Sequence, residues 1–151
     1  MLFKRVSRTD PEKVYAVVKN GYSTAALSSG QAVTWDFITL SDGVGVTLPL
    51  ARATNAGVAV AGIVAQAIAI GGYGLVQVYG YHSAVRVRTV TGGTPAIAAG
   101  RPLTLNAAGS LFCLESMSTA SIAIQVAPCG FALAAQALWT TSAIAAFIKA
   151  L

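Results

Sequence analysis

One imidazole, two thiols and five carboxylates are the chain's whole stock of the side chains that most often serve acid–base catalysis or hold a metal. His82, in "YGYHSAV", is the sole imidazole, and spacing assembles no Ser/His/Asp or Cys/His order around it. Cys113 and Cys129 form no Cys-x-x-Cys pair, and with a single His they cannot complete a four-ligand zinc site. Both lie in apolar stretches, "SLFCLES" and "VAPCGFAL", where reduced and buried thiols act as small hydrophobes. Asp10 and Glu12 read as capping or turn residues, and Asp36 and Asp42 flank "FITLS" in a loop. Glycine-rich pieces fare no better: "SDGVGVTL" lacks the third Gly of a dinucleotide fingerprint, and "GGYG" has no following Lys-Ser/Thr to grip phosphate. The expectation is a protein that is not an enzyme, with no catalytic, cofactor or metal site and no functional role for His82 or Cys113.

Charge is the other chemistry on offer. Five cations (Lys4, Arg5, Arg8, Lys13, Lys19) face two carboxylates within residues 1–20, so that +3 of the chain's net +5 sits at one end. Such an arm binds nucleic acid or an acidic protein surface, unless it is only a solvated terminus. A nucleic-acid barrel would also need aromatics interleaved with Lys/Arg on one face. Arg86 and Arg88, with Tyr79 and Tyr81 expected a strand away, are the nearest approach, and "TVTGGTPA" adds no further positive charge. Lys4, Arg5 and Arg8 are therefore the candidate contact residues, on a segment that is expected to order only on docking.

The rest of the composition says what those few groups are mounted on. Hydrophobic residues make up 55% of 151, charged residues 10%, and the excess comes from Ala, Val and Gly rather than Leu and Phe. Soluble domains average roughly 25% charged residues, so much of this surface is expected to meet another protein. A disordered chain is excluded by the apolar content. No apolar h-region follows the basic start, which argues against a secretory signal. Residues 53–85 and 116–148 carry no formal charge and exceed the ~20 residues of a membrane span. Gln66, Gly71, Gly72, Gln77 and His82 interrupt the first; Gln125, Pro128 and Gln136 interrupt the second. A membrane location is therefore not expected.

The elements read as strands. "VRVRTV" (Val85–Val90) alternates, placing Val85 and Val87 on one face and Arg86 and Arg88 on the other. "GVAVAGIVAQAIAI" (Gly57–Ile70) is a near-continuous apolar run, which suits a strand covered on both faces. "GGYG" (Gly71–Gly74) supplies a turn and "LVQVYGY" (Leu75–Tyr81) the returning strand. "IAIQVAP" (Ile122–Pro128) reads as another, with Pro128 at its end or at an edge. "DPEKVYAVVKNG" carries helix caps but a β-branched and aromatic interior, which favours a strand over Val14–Lys19. Self-similarity, "GQAV" at Gly30 with "GRPL" at Gly100 and Gly62 with Gly130, suggests units near 30–82 and 100–151, two related halves closing on one core. On that pattern the C-terminal "ALWTTSAIAAFIKAL" ends as strand.

The stretches "GQAVTWD", "ARATNAGVAVAGIVAQAIAIGGYGLVQVYGYHSAVRVRT", "GRPLTL" and "GFALAAQAL … AFIKAL" resemble the head decoration, or cement, proteins of tailed bacteriophages. The resemblance spans roughly residues 25–151 and rests on a Gly-x-x-Val strand start followed by Ala-Gly-Val strands. It implies an all-β, compact β-barrel or β-tulip-like domain at 25–151, preceded by an N-terminal arm at 1–24. It further implies a structural virion protein on the capsid outer surface, assembled in the host cytoplasm, with the major capsid protein and neighbouring copies of itself (a homotrimer or homodimer) as partners. Nucleic acid, membrane and cofactors are not expected. A small β-barrel binding nucleic acid or carbohydrate is the second reading, and a membrane-associated β protein the third.

Overall fold

Val and Ile are β-branched and suit a pleated, half-buried surface, the frequent Gly weakens helices, and the observed elements follow that composition. The computed structural model describes residues 12–40, 42–49, 60–88, 97–106, 113–116, 128–136 and 141–150, and no helix occurs among them. Among the described residues, nine strands form one sheet: β1 (Lys13–Asn20), β2 (Ala32–Trp35), β3 (Gly45–Thr47), β4 (Val60–Val64), β5 (Tyr73–Arg88), β6 (Pro102–Asn106), β7 (Cys113–Ser116), β8 (Gly130–Ala132) and β9 (Thr141–Lys149).

Pairing closes this sheet twice. In the order β1-β3-β2-β4-β5, the last strand returns to pair antiparallel with the first, Lys13 opposite Gly80 through Lys19 opposite Tyr73. In the order β5-β7-β6-β8-β9, β9 returns to β5, Tyr79 opposite Lys149 through Arg88 opposite Thr141. The long β5 thus belongs to both five-stranded rings, its first half to one and its second half to the other. Closure leaves few free edges, which limits uncontrolled strand addition.

Each ring has its own interior. Val18, Leu27, Val33, Val46, Leu48, Ala61, Val64, Ile68 and Val76 cluster inside the first. Val85, Val87, Ile97, Leu103, Leu105, Cys129, Ala132, Ile144, Ala146 and Ile148 cluster inside the second, joined there by Ala32 and Ile63 from the first ring. The expectation of a single core is corrected by this division.

Three further expectations change. The strands foreseen at Leu75–Tyr81 and Val85–Val90 are one strand up to Arg88, with a register shift between His82 and Val85. Tyr79, Tyr81, Arg86 and Arg88 therefore share a strand rather than facing one another across two. Among its described residues, the apolar run Gly57–Ile70 is strand over Val60–Val64; it bends at Ala65 and Gln66, and Ile68 returns as an isolated bridge to Leu27. Residues 57–59 lie outside the described residues, as do 89–90 and most of the strand expected at Ile122–Pro128; Pro128 itself is exposed two residues before β8. Val14–Lys19 and the C-terminal segment are strands as expected, and Val85 and Val87 point inward, with Arg86 on the opposite face. The boundary expected at residue 24 falls after β1, which is paired into the first ring.

Candidate functional site

Where an apolar chain leaves large side chains in water, the backbone beneath them shows whether they are incidental. The end of the first ring at the C-terminus of β1 carries four such residues: Phe37 is 67% exposed, Ile38 83%, Ile70 56% and Tyr73 68%. Phe37, Ile38 and Ile70 sit on two turns, residues 36–40 and 69–72, and Tyr73 opens β5 directly after the second; both turns are tied to the last residues of β1.

Asn20 makes the first tie. Its side chain is buried, and Nδ2 donates to the carbonyls of Ala25 (3.3 Å), Ile68 (3.1 Å) and Ala69 (3.2 Å). Oδ1 accepts from the amide of Tyr22 at 2.9 Å. The backbone of Asn20 meanwhile accepts from Gly71 N at 3.0 Å and donates to Gly72 O at 2.9 Å, which fixes the turn carrying Ile70. One buried amide so holds three chain segments, with its donors and acceptor all engaged.

Asp36 makes the second. Its amide donates to Gly45 O at 2.9 Å, and Gly45 pairs with Lys19 of β1. The Asp36 Oδ1 accepts from the amides of Ile38 (3.1 Å) and Thr39 (2.8 Å), a carboxylate-capped turn that turns the Phe37 and Ile38 side chains outward. Asp42 Oδ1 does the same for Val44 N at 3.0 Å. Both aspartates thus take the loop role the sequence indicated. The result is an apolar tip whose backbone is ordered by polar groups of the chain itself.

The residues singled out for chemistry are dispersed. His82 lies half-buried on β5, where its Nδ1 accepts from Ala84 N at 3.1 Å. Its pKa is lowered below the usual imidazole value, by burial and by the charge of Lys13. Cys129 is buried, its Sγ–H directed at Leu103 O at 3.5 Å, and burial pushes its pKa up to about 12. The side chain of Cys113 lies outside the described residues, as do Lys4, Arg5, Arg8 and Asp10. Tyr79 packs edge-on against Phe147 at 5.1 Å and Lys13 Nζ lies 6.0 Å over Tyr81, so those rings are partly engaged within the fold. Among the described residues, no three His, Cys, Asp or Glu gather to hold a metal, and no helix is long and apolar enough to cross a membrane. Sequence reasoning missed Asn20 and the Phe37–Ile38 tip. The adjacent large apolar pair after Asp36 was the available signal.

No family model matches this sequence, and no curated protein matches it either. Among solved structures, the chain is similar to the head fiber gp8.5 N base of bacteriophage phi29, with a TM-score of 0.49 at 11% identity, over 92% of this chain and 96% of that one. A likeness that low carries no argument about function.

Proposed function

We propose that this protein is a structural component of a phage virion that docks on the outer surface of the capsid and stabilises it, in contact with the major capsid protein and with neighbouring copies of itself. The observation that carries the reading is the rigid apolar end of the first ring, Phe37, Ile38 and Ile70 on turns fixed by Asn20 and Asp36, with Tyr73 directly after the second. Anchors of this kind, held by their own backbone, suit a protein surface better than a small substrate. The sequence resemblance to head decoration proteins and the scarcity of charge support the same class. Repetition over many shell sites would let each contact be weak while the shell gains by avidity. The chain is not an enzyme on this reading, and it needs no cofactor.

The basic segment at Lys4, Arg5 and Arg8 separates this reading from nucleic-acid binding. Deleting residues 1–9 should weaken binding to shells while leaving the melting temperature nearly unchanged. Neither full-length nor shortened protein should bind duplex DNA with a steep salt dependence. Unchanged shell binding after the deletion, together with salt-sensitive DNA binding that the deletion removes, would favour the nucleic-acid reading instead.

A further inference from the structure

The joint between the two rings has a counterpart that the chain leaves unmade. In the first ring, the turn before β2 is closed by Gly30 N to Val64 O (2.9 Å), Gln31 N to Ser28 O (3.2 Å) and Val64 N to Gln31 O (2.9 Å). In the second, Gly100 N to Ala132 O (2.8 Å), Arg101 N to Ala98 O (3.1 Å) and Ala132 N to Arg101 O (2.9 Å) repeat it bond for bond. Gly30 and Gly100 hold the same left-handed conformation, φ 78° and 84°. Strand pairing matches as well: Val33 lies opposite Gly62 and Leu103 opposite Gly130.

The two turns differ in what lies against them. Gly30 is buried against the second half of β5: its carbonyl accepts from Arg86 N at 2.9 Å, and an added Cβ would lie 2.4 Å from Ala84 O. Ala32 and Ile63 beside it, at 0% and 1% exposure, pack into the second ring's cluster. At the matching place in the second ring, Gly100 is exposed with nothing within 4 Å of a Cβ. Phe131, which stands where Ile63 stands, is 39% exposed, and Leu133 two residues on is 47% exposed.

The surface that covers the first turn also has an uncovered twin. The second half of β5 opens the second ring, antiparallel to β9 and parallel to β7. β1 opens the first ring in the same manner, antiparallel to β5 and parallel to β3. Over Lys13–Val18, β5 is the only described strand paired with β1, and Val17 is 66% exposed. A bare turn in the second ring and a strand edge in the first that no described strand covers are thus the two sides of a joint the molecule already makes once.

We propose that the Gly100–Pro102 turn, with Phe131 and Leu133, docks on the open β1 edge of a second copy of this chain, head to tail. The contact is heterologous, so it closes into a ring or runs on as a filament, according to the rotation between copies. It stands apart from capsid binding, because both surfaces belong to this chain.

Mixing two single variants of the full chain, Val17→Cys and Leu133→Cys, with one of them lengthened by a tag, tests the geometry. A short bis-maleimide should join unlike chains in the mixture, and should join neither variant to itself beyond the wild-type level set by the native thiols. Should Leu133→Cys disturb the fold, Arg101→Cys at the exposed turn takes its place. Sedimentation of the wild type should show species larger than the monomer, lost in Leu133→Asp with the circular dichroism spectrum retained. Cross-links between like chains would overturn the proposal, as would no cross-link in a sample that sediments above the monomer. A wild type that stays monomeric at its highest soluble concentration would overturn it too.

Discussion

Among the described residues, the fold shifts Cys129 away from its thiolate and His82 away from its imidazolium. A thiol pushed up to about 12 by burial carries almost no thiolate at neutral pH. In a Cys113→Ser background, Cys129 should therefore react with an aromatic disulfide only as fast as the protein opens, and at once in denaturant. Labelling of the native protein at the rate of a free thiol would contradict its burial. His82 is disfavoured as a cation, chiefly by burial and then by Lys13. Its folded pKa thus lies below its unfolded value near 6.5, and the unfolded chain binds more protons in the window between them. Its contribution to stability is then present above about pH 6.5 and declines as pH falls through that window. His82→Asn keeps an acceptor where Nδ1 receives Ala84 N, so denaturation midpoints taken between about pH 7.5 and 5 should fall less in the variant than in the wild type. An equal or steeper fall in the variant would contradict this. At this scale the sequence placed Asp36 and Asp42 in loops, and both carboxylates cap turns there. It was silent on Asn20, because a buried amide holding three segments is made by contacts 48 and 49 residues away that no local pattern encodes.

β5 decides the architecture at the scale of elements, and Gly80 decides β5. The strand passes from one ring to the other there, with φ at +101° and an added Cβ only 1.9 Å from Glu12 O. Gly80→Ala should cost about 2–5 kcal/mol in denaturant unfolding, because an unfavourable backbone conformation and an overlap with backbone combine. Gly71→Ala is the control: its φ is +68° but nothing lies within 4 Å, so it should cost only about 1–2 kcal/mol. Equal losses in the two variants would remove the close approach at Gly80 as a cause. Strand type was legible from alternation at Val85–Val87 and from β-branched content at Val14–Lys19. Strand length was not. Periodicity sees no difference between an apolar run that continues and one that bends at Ala65, and it split β5 because "YGYHSA" resembles a turn while its backbone stays paired on through His82 to Phe147 and Ala146.

For the molecule as a whole, self-similarity in sequence pointed to two halves closing on one core, and that expectation fails. The return of β1 and β9 to the same strand gives each half its own cluster. The exposed apolar end was likewise hidden. Phe37 and Ile38 are ordinary core residues by type, and it takes the Asp36-capped turn to put them in water. The central claim, that this end serves a virion shell, is tested most directly by pelleting purified protein with phage shells that lack it. The account predicts that wild-type protein pellets with intact shells at a fixed, saturable ratio to the shell protein and raises their resistance to heat. Phe37→Ser with Ile38→Ser should reduce that binding at least about tenfold, a loss on the order of 1.4 kcal/mol, with the folded spectrum unchanged. Protein that stays in the supernatant at saturating concentration, or that pellets equally well with both side chains replaced, would contradict it.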